Sequence, residues 1–479
     1  MVPLNFSSPL FIYLFTITLG ILAFGVKSVK LRNAILLGFS LLFYFSFSGY
    51  WVVLLIAIAG ADFFLGQKMV KANDKQRDYL LRLSFLVNIG TLLIFKYTWF
   101  FTDTFLSFQG DSAPLWLKWV APIGLSFYIF KNFSYTLDVH REEIIQPEKN
   151  FLTYLLYVSW FPNVLAGPIS RATELLPQFN TLQKPNTTEA GEGFFLIAVG
   201  ILQKYWLADA LGMNWVDRVF DNPGLFSGME HLFAAYGWLF QLYLDFGGYS
   251  LLVMGVSLLL GIRLSPNFDR PLRSLSLSTF WKRWHISMSQ WFRDYVFTPL
   301  NFNWRSWGRW GAGLSVLLTF ILSGLWHGPA WTYILWGSLH GIWLAGEILW
   351  RAPIQSFFSF LPKQLFNCFA WIITFHVVVF TALIFRTTDI TSAMYMMESM
   401  FSRFQGHLFF TWIETYRWPL TCLGVGALFE FLPGKIFSWS QQQFIRIGWL
   451  GQAIVIALLL IWVFQETQGP SVPFQYLEY

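Results

Sequence analysis

The stretch WGAGLSVLLTFILSGLWHGPAWTYILWGSLHGIWLAGEILW, residues 310–350, runs for 41 residues with no Lys or Arg and with Glu347 as its only acid. Its two apolar halves meet at Trp326-His327-Gly328-Pro329, and the rest of the chain is read outward from that junction. A titratable imidazole in a segment apolar enough to enter a bilayer costs folding energy, so it usually has a task there. Imidazole is also the side chain suited to proton transfer near neutral pH. Gly324 and Gly328 flank the ring, with Pro329 next, which predicts open space beside it for a substrate. His340 would not share a face with His327 on one straight helix. For His340, and more so for His376 in a later apolar run, an inter-helix hydrogen bond is the competing account.

The surrounding 479 residues are 55% hydrophobic, 20% aromatic and 12% charged, where a typical soluble domain carries about 25% charged residues. With a mean hydropathy of +0.50, this composition defines an all-α polytopic membrane protein. Apolar runs near 9–26, 33–48, 51–67, 80–101, 120–138, 194–216, 232–260, 311–326, 331–350, 366–385, 418–432 and 447–465 predict about ten to twelve transmembrane helices. They form one membrane-embedded domain over 1–479, with N-terminal helices to about 119, a core over about 120–350 and C-terminal helices beyond. Met1 to Ser8 has no basic residue and no small-residue cleavage site follows, so the first run is read as a retained span. The net charge of +6 is no nucleic-acid footprint, because Lys and Arg cluster in short segments between apolar runs. Lys27, Lys30 and Arg32, then Lys68, Lys71, Lys75, Arg77 and Arg82, place two loops in the cytoplasm and Thr102 to Trp119 outside. Cys368 and Cys422 lie in apolar surroundings and no His or Cys pair has zinc spacing, so neither a disulfide framework nor a metal is expected.

Three segments depart from simple spans. Trp160 to Pro168 carries two prolines, a glycine and Asn163 in apolar company, which predicts non-helical backbone buried in protein or lining a cavity. Asp245-Phe246-Gly247-Gly248-Tyr249-Ser250 is expected to interrupt another apolar run in the same way, with a carboxylate added. Phe280 to Tyr295 alternates aromatic and basic residues at helical spacing, the pattern of an interfacial amphipathic helix. Its Lys282, Arg283 and Arg293 are candidates to attract an anionic cofactor such as a coenzyme A ester. There is no Gly-rich phosphate loop, no His-Glu-x-x-His and no Gly-x-Ser-x-Gly elbow. Acyl transfer needs only a base for the acceptor hydroxyl and stabilisation of an oxyanion. On physical grounds alone, transfer in the membrane and transport through it both stay open.

A set of motifs in order carries a resemblance. Pro122-Ile123-Gly124-Leu125-Ser126-Phe127, Tyr135-Thr136-Leu137-Asp138-Val139, Phe161-Pro162 through Ala166-Gly167-Pro168-Ile169-Ser170-Arg171, Tyr243 through Ser250, and Asn267-Phe268 come first. Phe280-Trp281-Lys282-Arg283-Trp284-His285-Ile286-Ser287, Trp291-Phe292-Arg293-Asp294-Tyr295, Gly324-Leu325-Trp326-His327-Gly328, Trp336-Gly337 and His340-Gly341 follow. Together they resemble the membrane-bound O-acyltransferases, in the alginate O-acetyltransferase branch. The resemblance implies that His327 is catalytic, as general base or acyl relay, in a funnel or tunnel with re-entrant and interfacial helices around it. It implies acetyl-CoA as acyl donor, with no bound cofactor, a periplasmic SGNH-type acetyltransferase partner, a secreted or wall polysaccharide as final acceptor, and the bacterial cytoplasmic (inner) membrane as location. His285 and Asp245 are second-tier site candidates and Asn163 a third. A D-alanyl or lipid acyltransferase is the alternative within the family, and a polysaccharide or small-molecule transporter the alternative outside it. Pro299-Leu300-Asn301-Phe302-Asn303-Trp304-Arg305 departs from the Pro-Leu-Gly-Gly-Asn-Arg of many relatives, and Pro473 to Tyr479 faintly resembles an aromatic tail of some.

Overall fold

The structure, a computed structural model, describes residues 3–466, so the Pro473–Tyr479 tail lies outside the described residues. Every apolar run is helical, and among the described residues no strand forms. Among the described residues, seven helical runs are long and apolar enough to cross a membrane, or eight if Arg417–Phe431 and Gly434–Arg446, bent by 98°, make one span. The runs near 33–48 and 51–67 form two helices, Val29–Ser48 and Val52–Met69, joined by the turn Gly49–Trp51 with Gly49 at φ 55°, while Pro9–Phe24 is a shorter apolar helix.

The described chain clusters into two compact units, one from the N-terminal helices to Ile197 with Val253–Ser265 and the chain from Phe444, the other of Ala198–Leu252 and Pro266–Gln443. In the first unit, polar side chains bind helices to one another where water is excluded. Asp62 accepts from Ser84 Oγ and from Asn88 Nδ2, each at 2.6 Å. Arg32, counted above as a loop cation, is buried and donates to Thr181 O at 2.6 Å and Phe179 O at 2.7 Å, at the C-terminal end of Ala172–Phe179. The Trp160–Pro168 segment is non-helical and buried throughout, as its prolines require. Asn163 holds it: its Oδ1 accepts from Lys131 Nζ at 3.1 Å, and its Nδ2 donates to Pro168 O at 3.0 Å and Ser170 Oγ at 3.1 Å.

In the second unit, Asp245–Ser250 does not interrupt its run; it sits inside a continuous helix, Gly228–Leu259. Gly248 serves close packing instead. A methyl group on Gly248 would lie 2.7 Å from Lys204 N, and one on Gly200 would lie 2.6 Å from Gly248 O. Small residues allow backbones to approach this closely in membrane proteins. Phe280 to Tyr295 also differs from expectation. It forms two short helices, Leu277–Trp281 and Ile286–Phe292, broken at His285, whose φ of 43° is left-handed. Phe280, Trp281, Trp284, His285, Trp291 and Phe292 are all buried, so its aromatic face meets protein rather than a membrane surface. A non-glycine residue held in that conformation costs roughly 1–2 kcal/mol. Asn267 braces the break: its carbonyl accepts from Ile286 N at 2.9 Å and its Oδ1 from Ser287 Oγ at 2.7 Å.

Candidate active site

His327 is the last residue of the helix Arg309–His327; Gly328 is extended, and the chain turns back into Trp331–Phe357. The two helices form a tight hairpin. A methyl on Gly324 would collide with Tyr333 O, and one on Gly337 with Phe320 O. A methyl on Gly328 would collide with the Tyr333 ring. These glycines therefore close the hairpin and do not open room beside the imidazole, as the sequence reading had them do. The room lies on the other side. His327 lines a cavity of about 40 Å³ with Trp281, Trp284, Trp336, His340, Thr381 and Phe385 among its walls. Trp336 and Phe385 stand edge-on to the buried His327 ring at 5.2 Å and 5.1 Å.

The hairpin also brings His340 to the same cavity, which one straight helix would not do. His340 makes the inter-helix bonds anticipated for it: Trp281 Nε1 donates to its Nδ1 at 3.2 Å, and its Nε2 lies 2.9 Å from Thr381 Oγ1. His376 is likewise bonded between helices, its Nε2 2.8 Å from Tyr236 Oη. His285 packs edge-on to Phe246 at 4.7 Å, with the Trp326 ring 6.2 Å away. Burial pushes its conjugate acid down to about 3, so its ring is neutral at physiological pH.

A second cavity, of about 630 Å³, is lined by Lys282, Arg293, Ser289, Thr319, Ser323 and Glu347 together with apolar residues, and Trp281 is a wall of both cavities. Lys282 and Arg293 both line this cavity. Arg283 does not line this cavity; its carbonyl accepts from Asp269 N at 2.9 Å. Glu347, the lone acid of the 310–350 stretch, accepts from the backbone amides of Leu277 at 2.7 Å and Ser278 at 3.1 Å. It thereby fixes the start of the short helix that carries Trp281. Trp281 is legible in the sequence as one ring of an amphipathic pattern and as part of the Phe280–Ser287 motif, whereas no sequence signal marks Thr381 or Phe385.

Asp245 is committed elsewhere. Lys204 Nζ lies 2.6 Å from Asp245 Oδ1 and 2.7 Å from Asp209 Oδ1, all three side chains being buried. Asn163 belongs to the other unit, where it holds the proline-rich segment. Among the described residues no group of three His, Cys, Asp or Glu side chains is arranged to hold a metal.

The hairpin thus sets two imidazoles, His327 and His340, in the wall of one cavity. A family model for the membrane-bound O-acyltransferases matches residues 39–387, and the chain belongs to that family. It is 34% identical over 432 residues to the probable alginate O-acetylase of Pseudomonas aeruginosa, covering 88% of this chain and 79% of that protein. The peptidoglycan O-acetyltransferase of Helicobacter pylori is 30% identical over 437 residues, covering 83% and 80%. The teichoic acid D-alanyltransferase of Bacillus subtilis is 29% identical over 277 residues, covering 55% and 68%. This chain is accordingly a multi-pass membrane O-acyltransferase.

The Lys204 cluster generates a prediction about folding. Asp245→Asn leaves Lys204 paired with Asp209, whereas Lys204→Met strands two buried carboxylates. Removing one member of a buried ion pair typically costs about 3–5 kcal/mol. The yield of monodisperse protein after detergent extraction should fall far more in Lys204→Met than in Asp245→Asn. Equal yields would show that the pair does not hold the fold.

Proposed function

We propose that this enzyme relays an acetyl group from cytoplasmic acetyl-CoA toward an extracytoplasmic polysaccharide, with His327 as the base or relay. The observation that carries this reading is the buried His327 ring in a cavity of about 40 Å³, separated by Trp281 from a cavity of about 630 Å³ bearing Lys282 and Arg293. Acetyl as the acyl group is supported by the Pseudomonas and Helicobacter relatives, a probable alginate O-acetylase and a peptidoglycan O-acetyltransferase.

In the larger cavity, Lys282 and Arg293 suit the anionic end of a coenzyme A ester. His327 takes the proton of the attacking hydroxyl as the new C–O bond forms. The C–S bond then breaks, and the thiolate leaves with that proton. Where the first acceptor is a partner's serine, the acyl group passes on as a serine ester. A periplasmic SGNH-type partner suits this step, because the segment 108–119 after the helix Thr98–Ser107, read as extracytoplasmic, is too short to form a sugar-binding cleft. The inner membrane of a bacterium is the setting that joins such a donor to such an acceptor.

Polymer acetylation in cells carrying His327→Ala, with equal expression, should drop by roughly the 10²–10⁴-fold that losing a general base costs. Normal acetylation would end the assignment.

The side of the membrane is tested separately. Cys368 and Cys422 are replaced first, and single cysteines are then placed at the exposed positions Lys71, Lys282 and Gln109. In intact cells a membrane-impermeant thiol reagent should label position 109 and spare 71 and 282. Labelling at 282 would overturn donor delivery from the cytoplasm.

A further inference from the structure

The helix Arg309–His327 carries a stripe of polar residues four apart, Ser315, Thr319, Ser323 and His327, and all four are buried. Two of the hydroxyls are spent on the helix itself. Ser315 Oγ donates to Gly311 O at 2.7 Å, and Thr319 Oγ1 donates to Ser315 O at 2.6 Å. Ser323 breaks the series. Its Oγ has no hydrogen-bond partner among the described residues, although the residue is only 3% exposed. Ser323 is also a wall of the larger cavity, with Thr319 beside it. The other hydroxyls of that wall are engaged: Ser289 Oγ donates to Trp284 O at 3.2 Å, and Ser278 Oγ lies 3.1 Å from Ser276 Oγ. Lys282 and Arg293 are exposed and mark the open end of this cavity, whereas Ser323 marks its buried end. A buried hydroxyl left unpaired carries its full desolvation cost, so a ligand atom that accepts its proton is favoured there.

We propose that Ser323 is a donor-binding residue, whose hydroxyl donates to the carbonyl of the amide nearest the sulfur in the pantetheine arm of the acyl donor. This deepens the donor reading given above and rests on it. The argument is one of length. Ser323 and His327 are four residues apart on one helix, hence about 6 Å at a rise of ~1.5 Å per residue. In a coenzyme A thioester five bonds separate the acyl carbon from the carbon of that amide, which is likewise roughly 6 Å when extended. An arm that enters past Lys282 and Arg293 and lies along this helix therefore brings its first amide to Ser323 as its acyl carbon reaches His327. On the way it passes Trp281, which borders both cavities.

The test measures binding by titration calorimetry, with the purified full-length protein and unreactive ketone probes in which a methylene replaces the thioester sulfur. Three probes are used: the ketone analogue of acetyl-CoA, that of acetyl-pantetheine, and the latter with its first amide replaced by two methylenes. Ser323→Ala should weaken both amide-bearing probes by about two- to tenfold, the worth of one neutral hydrogen bond, and leave the amide-free probe unchanged. Ser323→Thr, which keeps the hydroxyl, should retain the wild-type preference for the amide. Equal weakening of all three probes in Ser323→Ala, or of none, overturns the proposal. Binding of the pantetheine probe without the coenzyme A probe, with the same selective loss in Ser323→Ala, supports Ser323 and overturns only the coenzyme A reading. If wild type binds no probe, both fall together.

Discussion

The contact on which the site depends is the backbone-to-backbone approach between Arg309–His327 and Trp331–Phe357. Gly324 lies against the Tyr333 carbonyl and Gly337 against the Phe320 carbonyl, so neither position has room for a side chain. In a lipid setting, where burying apolar surface gains little, such close van der Waals packing is what drives helices together. It fixes the angle at which the chain reverses after His327. That reversal in turn brings His327 and His340 to one cavity although they lie on different helices. The Leu317 backbone continues the seam, 2.9 Å from where a methyl on Gly341 would stand.

Around this hairpin, buried polar groups are disposed by task. Glu347 caps a short helix, His340 locks an indole, and Lys204 balances two aspartates. Each satisfies a group whose isolation in a low-dielectric interior would be costly. His327 differs in its setting: its ring is framed by aromatic edges and faces a small cavity beside a larger one that carries cations. Rigid walls of this kind suit chemistry that requires a small group to be held against a base.

Much of this was legible in the sequence, and the failures have physical causes. The all-helical membrane class follows from composition, and the buried irregular segment at 160–168 follows from its prolines, because such backbone cannot face lipid. The glycines misled the reading twice. At Gly247-Gly248 they suggested a break, and at Gly324 and Gly328 an opening, yet in both places they admit a neighbouring backbone or ring. A glycine's role depends on what approaches it, which local sequence does not encode. Periodicity likewise made one helix of Phe280 to Tyr295, because nothing in the spacing reveals that His285 takes a left-handed conformation braced by Asn267. Trp281 is tied to His340, and His340 to Thr381, across 59 and 41 residues of chain, contacts that local sequence does not encode.

The central claim is that the acyl carbon is held at His327. It is tested most directly by cryo-electron microscopy of the protein with an unreactive ketone analogue of acetyl-CoA, in which a methylene separates sulfur from the carbonyl. The account predicts density for the acetonyl group in the small cavity, its carbonyl within about 3–4 Å of the His327 ring, the reach a general base needs. The analogue bound elsewhere, with the His327 cavity holding only protein side chains, would contradict it.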